Sequence, residues 1–116
     1  MGPKRDVVAE LEKAIRARGL KYMTSFHHHW KWGWYATPIE GADCLDLAYR
    51  QLYGPALPAG AWDFQDPFPR PDTAFCIEWL GKVNEVVDNY HPDLIWFDNR
   101  MHILDDSYRI DMAAWL

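Results

Sequence analysis

A proline and a carboxylate bracket the segment that most constrains this chain, His91-Pro92-Asp93-Leu94-Ile95-Trp96-Phe97-Asp98. Pro92 has no N–H and biases the residue before it away from helical dihedrals, so it ends any helix that reaches it. Leu94 to Phe97 are all large and apolar, the pattern of a strand buried on both faces of a parallel sheet. Asp98 falls where that strand emerges. The carboxyl ends of parallel strands are where α/β proteins assemble their chemistry, which makes Asp98 the first candidate reactive group.

Upstream, residues from about Asp6 to Arg18 predict an amphipathic helix. Val7, Val8, Leu11, Ala14 and Ile15 recur at helical spacing, and Gly19 sits where a left-handed capping residue belongs. Leu20 to Phe26 predicts a strand, followed at once by His27-His28-His29-Trp30-Lys31-Trp32-Gly33-Trp34-Tyr35. Residues from about Ala36 to Pro71 are broken by prolines and glycines, and only Asp43 to Leu52 could hold a short helix. Loops of that length inside compact domains tend to be lids or binding loops. Asp72 or Thr73 can cap a second long helix to Tyr90. Its expected apolar face is Ile77, Leu80, Val83, Val87 and Tyr90, widened by Phe75, Trp79 and Val86. A last helix is expected from Tyr108 to Leu116.

The order is a parallel α/β alternation. Two strands make a poor sheet, so neighbours from a closed barrel or a large open sheet are expected, and the chain reads as a fragment. Its 16% aromatic content, including seven tryptophans, exceeds what one small isolated core accommodates. Some of these rings should meet a ligand or further protein. The net charge of -5 argues against nucleic-acid or anionic-membrane partners. No run is long and apolar enough for a membrane helix, and no signal-peptide core opens the chain. Cys44 and Cys76 leave the compartment open, since a buried thiol pair suits them as well as a bridge.

Three constellations carry chemistry. On an extended backbone, at most two of His27, His28 and His29 share a pocket. They can hydrogen-bond a hydroxylated ligand, exchange protons near neutral pH, or simply form a polar strand end. A metal site is not expected, because no HExxH-like spacing accompanies them. Trp30, Trp32, Trp34 and Tyr35 offer faces for a sugar ring, or form a core lid. Asp98 follows an apolar wall and precedes Arg100, a possible cation; its bland reading is a turn cap. Asp63, Asp66, Asp105 and Asp106 read as solvated turn residues, and Asp93 marks the helix-to-strand turn.

GLKYMTSFHHHW, from Gly19 to Trp30, resembles the GLKF…(Y/F)HH strand segment of glycoside hydrolase family 29, the α-L-fucosidases. WLGKVNEVVDNYHPDLIWFD, from Trp79 to Asp98, is similar to that family's L-x-E-L-I-x-x-Y-x-P-D-L-I-W-F-D block and is the stronger signal. Leu52-Tyr53-Gly54 resembles its LYG segment. The resemblance implies a partial (β/α)8 TIM barrel, about two strands with their helices. Residues 1–116 would then be a fragment of the catalytic domain, truncated at both ends.

It further implies retaining hydrolysis of α-L-fucosides with neither metal nor organic cofactor. Asp98 maps onto the nucleophile, and His27, His28 and Trp30 map near the substrate. Asn99 departs from the Gly or Trp common after the nucleophile. The family's acid/base lies beyond the nucleophile strand and another fucose-binding strand end lies upstream, so the isolated polypeptide is expected to be inactive. The expected partners are a fucosylated glycan or small fucoside and the remainder of the barrel. Two alternatives stand: a carbohydrate-binding module using the Trp/His cluster without catalysis, and another barrel hydrolase sharing only a strand-end Asp.

Overall fold

The computed structural model describes residues 3–34, 41–53 and 70–116. Helix α1 (Val7–Arg16) begins at Asp6, whose carboxylate accepts a 2.9 Å hydrogen bond from the Ala9 N–H. Asp satisfies an otherwise orphaned helix donor in this way. At the other end Gly19 turns left-handed at φ +70°, and the Gly19 and Leu20 N–H groups donate to the Arg16 and Ile15 carbonyls. A residue without Cβ adopts that conformation at no steric cost.

Strand β1 (Met23–Phe26) ends where the Leu20–Phe26 run ends but starts three residues later, because pairing with the second strand begins at Met23 opposite Leu94. His27 has φ -117° and ψ 4°, and His28–Trp30 forms a 3₁₀ turn. The extended reading of the histidine triplet is therefore corrected. The turn continues into α2 (Lys31–Trp34), broken by non-helical backbone at Trp32 and Gly33. Further on, 3₁₀ turns at Asp43–Leu45 and Leu47–Tyr49 lead into α3 (Arg50–Tyr53), within the stretch expected to hold a short helix. Residues 35–40 and 54–69, with Tyr35, Asp63 and Asp66, lie outside the described residues.

The long helix α4 (Thr73–Tyr90) is capped by Asp72, which accepts from the Phe75 N–H at 2.8 Å. It ends on His91 in the left-handed conformation (φ 42°), and Pro92 leads into β2 (Leu94–Phe97). Its buried side is Phe75, Cys76, Trp79 and Val83, whereas Ile77 is 58% exposed. Ile77 stands two residues, or about 200° of helical rotation, from Trp79, the centre of the buried arc. A 3₁₀ turn at Met101–Ile103 precedes α5 (Asp106–Trp115), which packs on α4.

The strands pair in parallel with Met23 opposite Leu94 and Phe26 opposite Phe97. Alternation sends Phe26, Ile95 and Phe97 toward α4, where Phe97 meets Trp79 at 5.9 Å between ring centroids. Trp79, Val83 and Leu104 are fully buried in this core, joined by Trp32, Phe75, Cys76, Ile103 and Met112. Cys44 and Cys76 are free thiols. The opposite sheet face is open: Leu94 is 55% exposed and Trp96 57%. Among the described residues α4 covers one face of the sheet, and the neighbours expected on the other are not among them.

Asp93 does more than mark a turn. Its carboxylate accepts from Lys21 Nζ (2.8 Å), the Tyr22 N–H (2.9 Å) and Arg16 Nη1 (3.0 Å), while its own N–H donates to the Tyr22 carbonyl. Those donors hold its carboxyl down to about 2. The strands thus start in register because one side chain ties α1, β1 and β2 together.

Candidate active site

Parallel pairing fixes what stands at the sheet's carboxyl end. Since Phe26 is opposite Phe97, the next residues are His27 and Asp98, and His27 Nδ1 lies 3.6 Å from Asp98 Oδ2. That separation is one of charge proximity, longer than a hydrogen bond. Asp98 continues the alternation of Leu94 and Trp96, so it belongs to the open face of the sheet. Both side chains are partly solvated, Asp98 at 41% exposure.

His28 turns the other way. Its ring stacks on Phe75 of α4 (centroids 5.5 Å apart, planes within 6°), and its Nε2 lies 3.2 Å from Glu78 Oε1. Lys82 Nζ approaches the same ring at 3.3–3.5 Å and also binds Glu78 at 2.6 Å, with Lys31 3.6 Å from that carboxylate. Burial, and next the Lys82 charge, push the His28 pKa down to about 4, so the ring is neutral near pH 7. A neutral ring serves both neighbours by donating from Nε2 to Glu78 and accepting at Nδ1 from Lys82.

His29 is fully buried, and its Nε2 donates to two successive main-chain carbonyls, Asp98 (3.0 Å) and Asn99 (2.6 Å). No sequence signal marks this contact. Three identical residues in a row become distinct only through the 3₁₀ turn that follows Phe26. Arg100, named above as a possible cation for Asp98, is buried against Trp30. Its guanidinium stands 4.9 Å from the Trp30 ring centroid, and Nη2 donates to the Trp32 carbonyl at 3.3 Å. Burial draws the Arg100 pKa down. Trp32 lies in the core against Phe75 at 5.2 Å, the lid reading of that ring, while Trp30 is half-buried at the site. The Trp34 side chain lies outside the described residues.

Among the described residues, no group of three or more His, Cys, Asp or Glu is arranged to hold a metal ion. Among them also, no helix is long and apolar enough to cross a membrane. What the site does hold is a carboxylate beside an imidazole at the carboxyl edge of a parallel sheet. That defines the mixed α/β class, compatible with part of a larger α/β domain. A sequence model of the alpha-L-fucosidase family matches residues 1–116, the whole chain, and the chain belongs to that family of glycoside hydrolases. Neither curated proteins nor solved structures return a match.

Proposed function

We propose that residues 1–116 form part of the (β/α)8 barrel of a retaining α-L-fucosidase, with Asp98 as its nucleophile. The observation that carries this reading is the Asp98 carboxylate at the end of β2, beside His27, in a chain matched throughout by the family model. The parallel β1–β2 pair supports the barrel: α4 lies on one face, and the other presents Met23, Leu94 and Trp96 as an interior face would.

In this mechanism an Asp98 Oδ attacks the anomeric carbon while the bond from that carbon to the leaving oxygen breaks. A second carboxyl group, about 5–5.5 Å away in retaining sites, protonates the leaving oxygen. The same group then deprotonates a water, which displaces Asp98 from the sugar and regenerates its carboxylate with retained configuration. Attack needs an ionised Asp98.

His27 is the substrate-facing histidine with the most direct support, since its ring is already at the carboxylate. Trp30, half-buried over Arg100, supplies an apolar face suited to the C–H side of a deoxysugar. His28 is the third proposed contact; its partners on α4 suit it to forming the wall of the pocket. The substrate class is a fucosylated glycan or small fucoside.

The test uses the longest native polypeptide that carries this sequence. Asp98→Gly should lower kcat on an aryl α-L-fucoside by about three orders of magnitude or more, as loss of a nucleophile does. Azide should partly restore turnover, and a fluorinated fucosyl inactivator should label the Asp98 peptide in the unaltered protein. Unchanged hydrolysis by Asp98→Gly, or the label on another peptide, would overturn the assignment.

A further inference from the structure

We infer that His29 is the positioning residue for Asp98: a buried ring that grips the backbone of the nucleophile and of the residue after it. The inference rests on the reading of Asp98 as nucleophile. His29 Nε2 stands 3.0 Å from the Asp98 carbonyl oxygen and 2.6 Å from that of Asn99. Both oxygens only accept, so Nε2 carries the hydrogen and shares it between them. Among the described residues Nδ1 has no hydrogen-bond partner, so protonating it would bury a bare N–H. The ring stays neutral and the tautomer is fixed. Burial also lowers the His29 pKa.

The held carbonyls lie where the chain leaves β2 and enters a left-handed residue, Arg100 at φ 76°. Rotation of the peptide plane between Asp98 and Asn99 would swing the Asp98 Cα–Cβ bond, and with it the direction of attack. His29 opposes that rotation from one side. From the other, Arg100 is anchored to Trp30 and to the Trp32 carbonyl. Residues 29–32 at the end of β1 thus clamp residues 98–100 at the end of β2. If the place needed only filling, an apolar side chain would fill it without burying a polar ring. The polar contacts recorded for His29 are spent on these two carbonyls.

Misplacing a reacting group by about 1 Å costs on the order of 10²-fold in rate, which sets the expected effect. In the longest native polypeptide, His29→Leu should lower kcat about 100-fold and leave KM on an aryl α-L-fucoside within about threefold. His29→Asn, whose amide is too short to reach the carbonyls, should match it. His29→Gln, whose amide N–H reaches further, should recover about tenfold or more of the lost kcat. The Gln/Asn pair keeps the test decisive if the Leu variant fails to fold. Equal kcat for folded Gln and Asn variants, or a His29→Leu kcat within about threefold of the unaltered protein, overturns the inference. Asp98→Gly is run alongside: its retained activity would remove the nucleophile reading itself, whereas an inactive Asp98→Gly with indifferent His29 variants removes this inference alone.

Discussion

A 3₁₀ turn advances about 120° per residue, so three adjacent histidines fan into three environments. His27 meets Asp98, His28 meets Glu78 and Lys82, and His29 meets two carbonyls. His28 gives a pH prediction with a definite sign. Its folded pKa of about 4 lies below the ordinary 6.5, so between those values the unfolded chain binds a proton that the native chain refuses. The neutral ring's contribution is intact above about pH 6.5 and is lost as the pH falls toward about 4, below which it stays lost; the loss is on the order of 3 kcal/mol. His28→Gln should flatten stability against pH across that window, read from urea midpoints at constant m. Parallel slopes for the two proteins would contradict it. Asp98 was legible at this scale because a proline, an apolar run and a carboxylate fix its place without knowledge of neighbours. His29 was not, because its partners are 69 and 70 residues away in sequence. For Asp93 only the turn was legible, since its three donors come from α1 and from the two residues just before β1.

At the scale of elements, caps are local chemistry and can be read directly. Asp6, Gly19, Asp72 and Pro92 bound α1 and α4 within a residue or two of the expected ends. Asp72→Ala removes the acceptor of the Phe75 N–H and should cost about 1 kcal/mol, visible as a lower urea midpoint. Asp72→Ser should recover most of it, because the hydroxyl can accept the same bond. A loss shared equally by both variants would mean that the carboxylate acts through something other than the cap. Packing direction was less legible. The α4 sequence is apolar over so wide an arc that Ile77 looked as central as Trp79, and only the positions of β2 and α5 decide between them. The end of β1 at Phe26 was legible, whereas its start at Met23 rather than Leu20 was not, because it is set by where pairing with β2 begins, Met23 opposite Leu94.

For the molecule as a whole, the parallel alternation was legible and the sheet's neighbours were not. The radius of gyration is 16.3 Å, against about 13 Å for a compact chain of this length. Met23, Leu94 and Trp96 line an open sheet face, and Val8 and Leu11 stand exposed along the groove between α1 and β1. Among the described residues no third strand pairs with β1 or β2, and two parallel strands with open edges are marginal alone and prone to pair with other chains. The α4–α5 core around Trp79, Val83 and Leu104 is fully buried, so helical structure should survive where the sheet does not. Expressed alone, residues 1–116 should therefore show a helical far-ultraviolet signal, bind a hydrophobic dye, melt broadly and leave an aryl α-L-fucoside uncleaved. A self-sufficient carbohydrate-binding module would behave oppositely, with a sharp transition, equal calorimetric and van't Hoff enthalpies, and sugar binding. That outcome would mean the open face needs no barrel to cover it. The Asp98 carboxylate would then sit on a platform for binding sugar, and the nucleophile would have to be sought elsewhere.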